Sequence, residues 1–480
     1  MPYSDNIIQY PRFPSNLIHI AILIAGLAGF TLGAHVAFLV GFDYSLGKGY
    51  FAYIQSHGHI QLIGWVGLFI MGVSLYFMPR LAHFKIDLTR RVKYLSFYIT
   101  FGIILKYIFH SALPYYTDAY WASTISSMTL LSALSILIGI GIYLSIILRI
   151  AIAMKNQKNN PNRDIRIFFL LMIFGWVLYG VSQFILSVIL YTNNQTILLP
   201  NWNLFMVEIF IYLIILPISF GIGLRAIPLF MRLPSIQWNA LYFSKIYFGT
   251  LVSYFGIKLI YQIIDDGYKL LPYLNTVGLL KNILIIWFVY QLDILLKLRV
   301  PWTDTQKNKW IPHKKESRKE YPDYGEFGRF EWLLKSAFSW LVFASLLDGY
   351  LYFALLMDIP TELSKDGIRH AILLGFTTPL IMGMALRMIP GMTGALRLKH
   401  PYLVSWIAIL VNIAAFTRVF PMILPSFILE NTPKGYENIM FLFGISGIVG
   451  VLAIWLFYFA MRPVLKGNRL LYQNLYKSYL

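Results

Sequence analysis

The sequence predicts an all-α membrane protein, a bundle of about 12 transmembrane helices built as three pseudo-repeated four-helix arcs. Three observations carry this expectation. Of 480 residues, 58% are apolar, 17% aromatic and only 13% charged, a balance foreign to ordinary soluble domains. Apolar runs of about 20 residues, long enough to cross a bilayer, recur along nearly the whole chain. One short sequence frame also returns three times at a four-run interval, as an internal repeat does.

The runs lie near residues 15–42, 55–79, 92–112, 121–152, 166–191, 203–229, 242–264, 272–298, 329–357, 367–390, 402–425 and 437–461. They group as a first arc over 1–164, a second over 165–300, a linker over 301–328, and a third arc with a C-terminal tail over 329–480. The net charge of +19 is not a nucleic-acid footprint, because the basic residues collect in alternate connections. Arg80, Lys85, Arg90, Arg91 and Lys93 follow the second run, Lys155, Lys158, Arg163 and Arg166 the fourth, and Arg225 and Arg232 close the sixth. Lys307, Lys309, Lys314, Lys315, Arg318 and Lys319 fill the linker; Arg397 and Lys399 follow the tenth run, and Arg462, Lys466 and Arg469 the twelfth. Intervening connections such as YTNNQTILLPNW are poor in Lys and Arg. Both termini and the linker are therefore expected on the cytoplasmic side of the cell inner membrane. The polar start ahead of a long first run predicts no cleaved signal peptide. The chain has no cysteine, so a metal or prosthetic group must be held by His, Met, Tyr, Glu, Asp or Lys.

The repeat is anchored by GVSLYFMP, GIGLRAIP and GMALRMIP, in the second, sixth and tenth runs. The shared frame aligns Gly72, Gly221 and Gly383, and Pro79, Pro228 and Pro390. Counting back 20 residues from each proline reaches His59, Glu208 and His370, in a chain with only 9 histidines. Gly64 and Gly375 follow the two histidines by five residues. Counting forward 27 to 30 residues reaches Lys106, Lys258 and Arg418, each inside an apolar run. An ionisable group within a membrane span is a functional hypothesis by default.

Twenty residues of helix rise about 30 Å, the thickness of the hydrocarbon core. With the prolines at the cytoplasmic ends, His59, Glu208 and His370 are expected near the outer face. Lys106, Lys258 and Arg418, on runs that return outward, should reach a similar level. Two neutral imidazoles facing across a helical bundle can ligate a b-type heme, whose propionates want cationic partners. The competing reading is of boundary histidines bonded to backbone or water. His57 lies roughly 200° around the helix from His59, so one helix cannot offer both to one metal. His35, His110 and Asp348 are expected to be satisfied polar core residues.

Twelve spans in three arcs, with histidines on the second and tenth, resemble heme-copper oxidase subunit I and its relatives. That resemblance implies one low-spin heme ligand from each of those spans, and His59 and His370 occupy the matching slots. The stretches HIQLIGWVGLFIMGVSLYFMPR and RHAILLGFTTPLIMGMALRMIPGMTG are similar also to the short oxidase-related membrane proteins and the NnrS family, heme-containing membrane proteins of the nitric oxide response. The departures are specific. Ile368 stands where an oxidase holds its high-spin heme with a second histidine, Glu208 stands near the sixth-span copper position, and the seventh run has no histidine. A standard oxygen-reducing centre is not expected. Glu208 is a candidate proton carrier or ligand to an additional non-heme metal, or else a structural partner of Lys258.

The expectation is an integral membrane heme b protein in membrane electron transfer or nitric oxide metabolism, an oxidoreductase or a nitric-oxide-handling protein. It would lie among lipid, take electrons from a protein donor or a quinol, and serve alone or as a subunit of a larger membrane complex. A polytopic transporter and a non-catalytic anchor subunit are the alternatives. Transporter repeats break their helices near the midplane, whereas the glycines and prolines here mark the inner ends.

Overall fold

A computed structural model describes residues 10–45, 47–116, 120–155, 163–233, 236, 238–264, 267–296, 325–424 and 433–466. Apart from residues 325–328, the linker and its six basic residues lie outside the described residues, as does the tail beyond Lys466. Among the described residues there is no strand. Twelve helices among the described residues are long and apolar enough to cross a membrane: α1 Ser15–Gly41, α2 Gly47–Leu81, α3 Thr89–Tyr115, α4 Ala122–Met154, α5 Arg166–Thr192, α6 Pro200–Met231, α7 Ala240–Ile263, α8 Gly267–Leu292, α9 Phe330–Leu356, α10 Lys365–Thr393, α11 Leu403–Ile423 and α12 Gly435–Leu465. The chain is an integral, multi-pass membrane protein. The main boundary difference from the sequence is at α2, which begins eight residues before the apolar run. Gly47, Lys48 and Gly49 dilute the hydropathy there without breaking the helix.

The helices pack into two compact units. One takes its described residues from Met1–Val36, Leu46–Arg163 and Met172–Ile214; the other takes them from Ala37–Ser45, Asp164–Leu171 and Ile215–Leu480. In the first, α1 packs on α2 and α3 on α4. In the second, α11 packs on α12, α8 on α9 and α9 on α10. The end of α1 joins the second unit, where Gly41 lies against Gly444 of α12.

The three-fold register read from Gly and Pro has local structural counterparts. In α2, α6 and α10 the most apolar stretches are 78%, 83% and 78% buried, against 28% to 56% in the other nine spans. These three are the most buried of the spans among the described residues. The frame glycines have one job in each repeat, which is to let the preceding span come close. A Cβ on Gly72 would meet Ile18 of α1 at 2.7 Å, one on Gly221 would meet Phe168 of α5 at 3.2 Å, and one on Gly383 would meet Leu333 of α9 at 3.0 Å. Helix-to-helix approach through small residues is the main packing device within lipid.

The prolines set identical ends. Four residues after each proline the backbone turns left-handed, at His83 (φ 48°), Arg232 (φ 52°) and Gly394 (φ 83°). One residue further, the N–H of Phe84, Leu233 or Ala395 donates to the carbonyl of Pro79, Pro228 or Pro390 at 2.8, 2.9 and 2.8 Å. This six-to-one closure satisfies an otherwise orphaned helix-end carbonyl.

The N-terminal halves of the same helices carry wide π-helical turns, over Ile60–Gly67 in α2, Phe210–Ile215 in α6 and Ala371–Thr377 in α10. Hydroxyls occupy the opened carbonyls where they can: Thr377 donates to Ile372 O (2.9 Å) and Thr378 to Leu373 O (3.0 Å), each five residues back. Such turns shift the side chains that follow and frequently mark functional sites. Here each begins one or two residues after His59, Glu208 or His370.

Candidate functional site

His59 ends the first regular stretch of α2 and is 6% exposed. Its Nδ1 lies 2.8 Å from Tyr179 Oη of α5, and its Nε2 is buried with no hydrogen-bond partner. A phenol can accept the Nδ1–H, which is the tautomer that leaves the lone pair on Nε2. The Lys106 ammonium and His110, both on a wide turn of α3, are its electrostatic neighbours. Lys106 is fully buried and its Nζ has no hydrogen-bond partner in the protein. His110 meets Gln55 Oε1 through Nε2 at 3.3 Å, and its Nδ1 is buried and unpartnered. Gln55, one helical turn before His59, in turn exchanges two 2.8 Å bonds with the backbone of Leu198. The first unit thus gathers an imidazole lone pair and a fully buried lysine amine that has no hydrogen-bond partner in the protein.

In the second unit His370 holds its Nδ1 2.8 Å from the carbonyl of Asp366 on its own helix. A carbonyl only accepts, so Nδ1 carries the proton and Nε2 the lone pair. Arg418 of α11 is its electrostatic neighbour, 7% exposed, with its guanidinium 4.7 Å from the centroid of the Phe443 ring. In both units, then, the histidine and the cation that the repeat puts at one level are brought near each other. Lys258, by contrast, is half-buried and lies 5.7 Å from the Tyr254 ring centroid.

His57 does not share the surroundings of His59. Its Nδ1 donates to Gly29 O of α1 at 2.9 Å, and its ring occupies the space that a side chain at Gly33 would need. His35 stacks on Tyr53 with centroids 6.0 Å apart. Glu208 is 8% exposed in α6. Among the described residues no group of three or more His, Cys, Asp or Glu side chains is disposed to hold a metal ion.

One charged cluster is absent from the repeat register. Lys281 of α8, fully buried, pairs with Asp348 of α9 at 3.0 Å, and Asn282 Nδ2 donates to the same carboxylate oxygen at 2.8 Å. Tyr254 and Tyr352 share a 2.6 Å hydrogen bond and flank the ammonium, with ring centroids 4.7 and 5.4 Å from it. Asp348 is therefore a satisfied core residue, as its sequence context suggested. Lys281 was legible as a lone cation within TVGLLKNILIIW; Tyr179 carried no signal among 33 tyrosines.

The histidine environments suit an iron porphyrin. Each imidazole has its Nδ1 engaged by an oxygen, as metal-binding histidines usually do, and the buried Nε2 of His59 lacks any protein partner. Buried cations stand beside both rings, where carboxylates of a prosthetic group would be neutralised.

No protein-family profile matches the sequence, and no curated protein matches it. A solved structure of a heme-copper terminal oxidase dimer superposes with a TM-score of 0.69 at 12% identity, covering 94% of this chain and 84% of that chain. This chain therefore has a heme-copper oxidase-like fold of twelve membrane-length helices.

Proposed function

We propose that the protein is a membrane heme b protein in which His59 and His370, as the resemblance to heme-copper oxidase subunit I implies, would each supply a ligand to a low-spin heme. It would act in membrane electron transfer or, in the manner of NnrS-like proteins, in nitric oxide handling. The observation that carries this is the shared state of the two histidines. They stand at the same repeat slot, each at the head of a wide turn, each with Nδ1 bonded to oxygen and Nε2 left to bind. Heme in such a site supplies one-electron transfer. The surrounding residues orient the ligands, exclude water and neutralise charge. Lys106 and Arg418 are the better candidates for propionate partners, and Lys258, half-buried on a long flexible stem, the weaker one. The oxidase-like fold supports a redox role over a transporter. A reduced-minus-oxidised optical spectrum of the purified protein tests the proposal. A sharp b-type alpha band is expected, and its absence from protein grown with ample heme would return the chain to the transporter or anchor alternatives.

Arg418 gives a directional check. Replacing it with leucine should leave the protein inserted and lower the heme midpoint potential, because loss of a nearby positive charge disfavours the reduced, more negative state. A potential equal to wild type would make Arg418 a packing residue on Phe443.

Placement in the inner membrane with cytoplasmic termini rests on the positive-inside pattern. Protease added to right-side-out cells should leave the 301–328 linker intact, while inverted vesicles should expose it. Cleavage from the outer face would reverse the topology and move the histidines to the cytoplasmic side.

A further inference from the structure

We infer that Tyr179 is a positioning residue for the heme, one that fixes the plane and electron donation of His59 through its phenol oxygen. The inference rests on His59 being an axial ligand. Ligation through Nε2 requires the proton on Nδ1, and the oxygen 2.8 Å from Nδ1 is Tyr179 Oη. The tyrosine must then accept, and its own proton is released for donation elsewhere. Gln183 lies four residues on along α5, on the same face. It is 1% exposed, and neither of its amide atoms has a hydrogen-bond partner.

The ring is not free to turn away. Tyr179 is 2% exposed and packs edge-on against Phe210, with centroids 5.0 Å apart. Its plane lies 16° from that of the His59 imidazole, with centroids 6.0 Å apart. The hydrogen bond therefore joins two nearly parallel rings and restrains the rotation of the imidazole about its bond to the helix. His370 is held differently, by a carbonyl one turn back on its own helix. The angle between two axial imidazole planes shapes the g values of low-spin ferric heme, so the tyrosine has a spectroscopic readout separate from packing. An acceptor on Nδ1–H also increases imidazole donation to iron, which favours the ferric state.

The test is Tyr179→Phe, which keeps the ring and removes the oxygen, set beside Phe210→Leu, which loosens the packing and keeps the bond. Tyr179→Phe should retain low-spin heme and raise the midpoint potential by about 59 mV, a tenfold loss of preference for the ferric state in a one-electron couple. It should also move the largest ferric g value, whereas Phe210→Leu should do neither. An unchanged potential and g tensor in Tyr179→Phe, or equal shifts in both variants, would reduce Tyr179 to packing. These outcomes differ from failure of the ligand assignment, which would appear as a low-spin signature that survives His59→Ala.

Discussion

His59→Ala and His370→Ala are each expected to abolish the low-spin bis-histidine signature, while His57→Ala preserves it. The contrast between His57 and His59 is the strength of the experiment, because the two residues share one helix turn and differ in surroundings. His59 presents an unpartnered Nε2 to the interior; His57 donates to Gly29 O and packs on Gly33 of α1. A variant that merely unsettled α2 would harm both positions alike. Loss of the signature in all three variants, or in none, would remove the assignment. Recovery of the six-coordinate low-spin spectrum by exogenous imidazole in His59→Ala would show that the variant stays folded.

Removal of Lys281 should be the most destabilising single change outside that site. Lys281→Met would take the ammonium away from the carboxylate of Asp348, 6% exposed, which also accepts from Asn282 Nδ2. An uncompensated buried charge costs about 3–5 kcal/mol. The lower part of that range applies if the chain unfolded within the membrane finds other partners. Asp348→Leu should cost a similar amount, since it removes the carboxylate 3.0 Å from the fully buried Lys281 ammonium. Lys281→Met combined with Asp348→Leu should be milder than either alone, because a matched apolar pair carries no desolvation penalty. Thermal unfolding of the purified protein in detergent reads all three variants. Single variants as stable as wild type would show that the pair contributes nothing to stability.

The spans, their number and the repeat were determined by the sequence alone, because a bilayer imposes a length and an apolar composition that need no tertiary information. The Gly and Pro frame was legible for the same kind of reason. Close approach of a neighbouring helix demands a missing side chain, and the proline fixes where the helix ends, so both constraints are written into residue identity at a fixed spacing. The frame even led to His59 and His370, since a 20-residue count is a vertical distance on a helix. What lies beside those residues was decided only by the tertiary structure. Which oxygen engages each imidazole depends on the rotation of neighbouring helices about their axes, and the local widening of α2, α6 and α10 into π turns resets that rotation. Tyr179 was thus invisible among many tyrosines, and the pairing of Lys281 with Asp348, 67 residues apart, could not be read from spacing. Apolar patterning tells a helix that it must be buried in lipid or protein, and only packing tells its polar side chains which partner they meet.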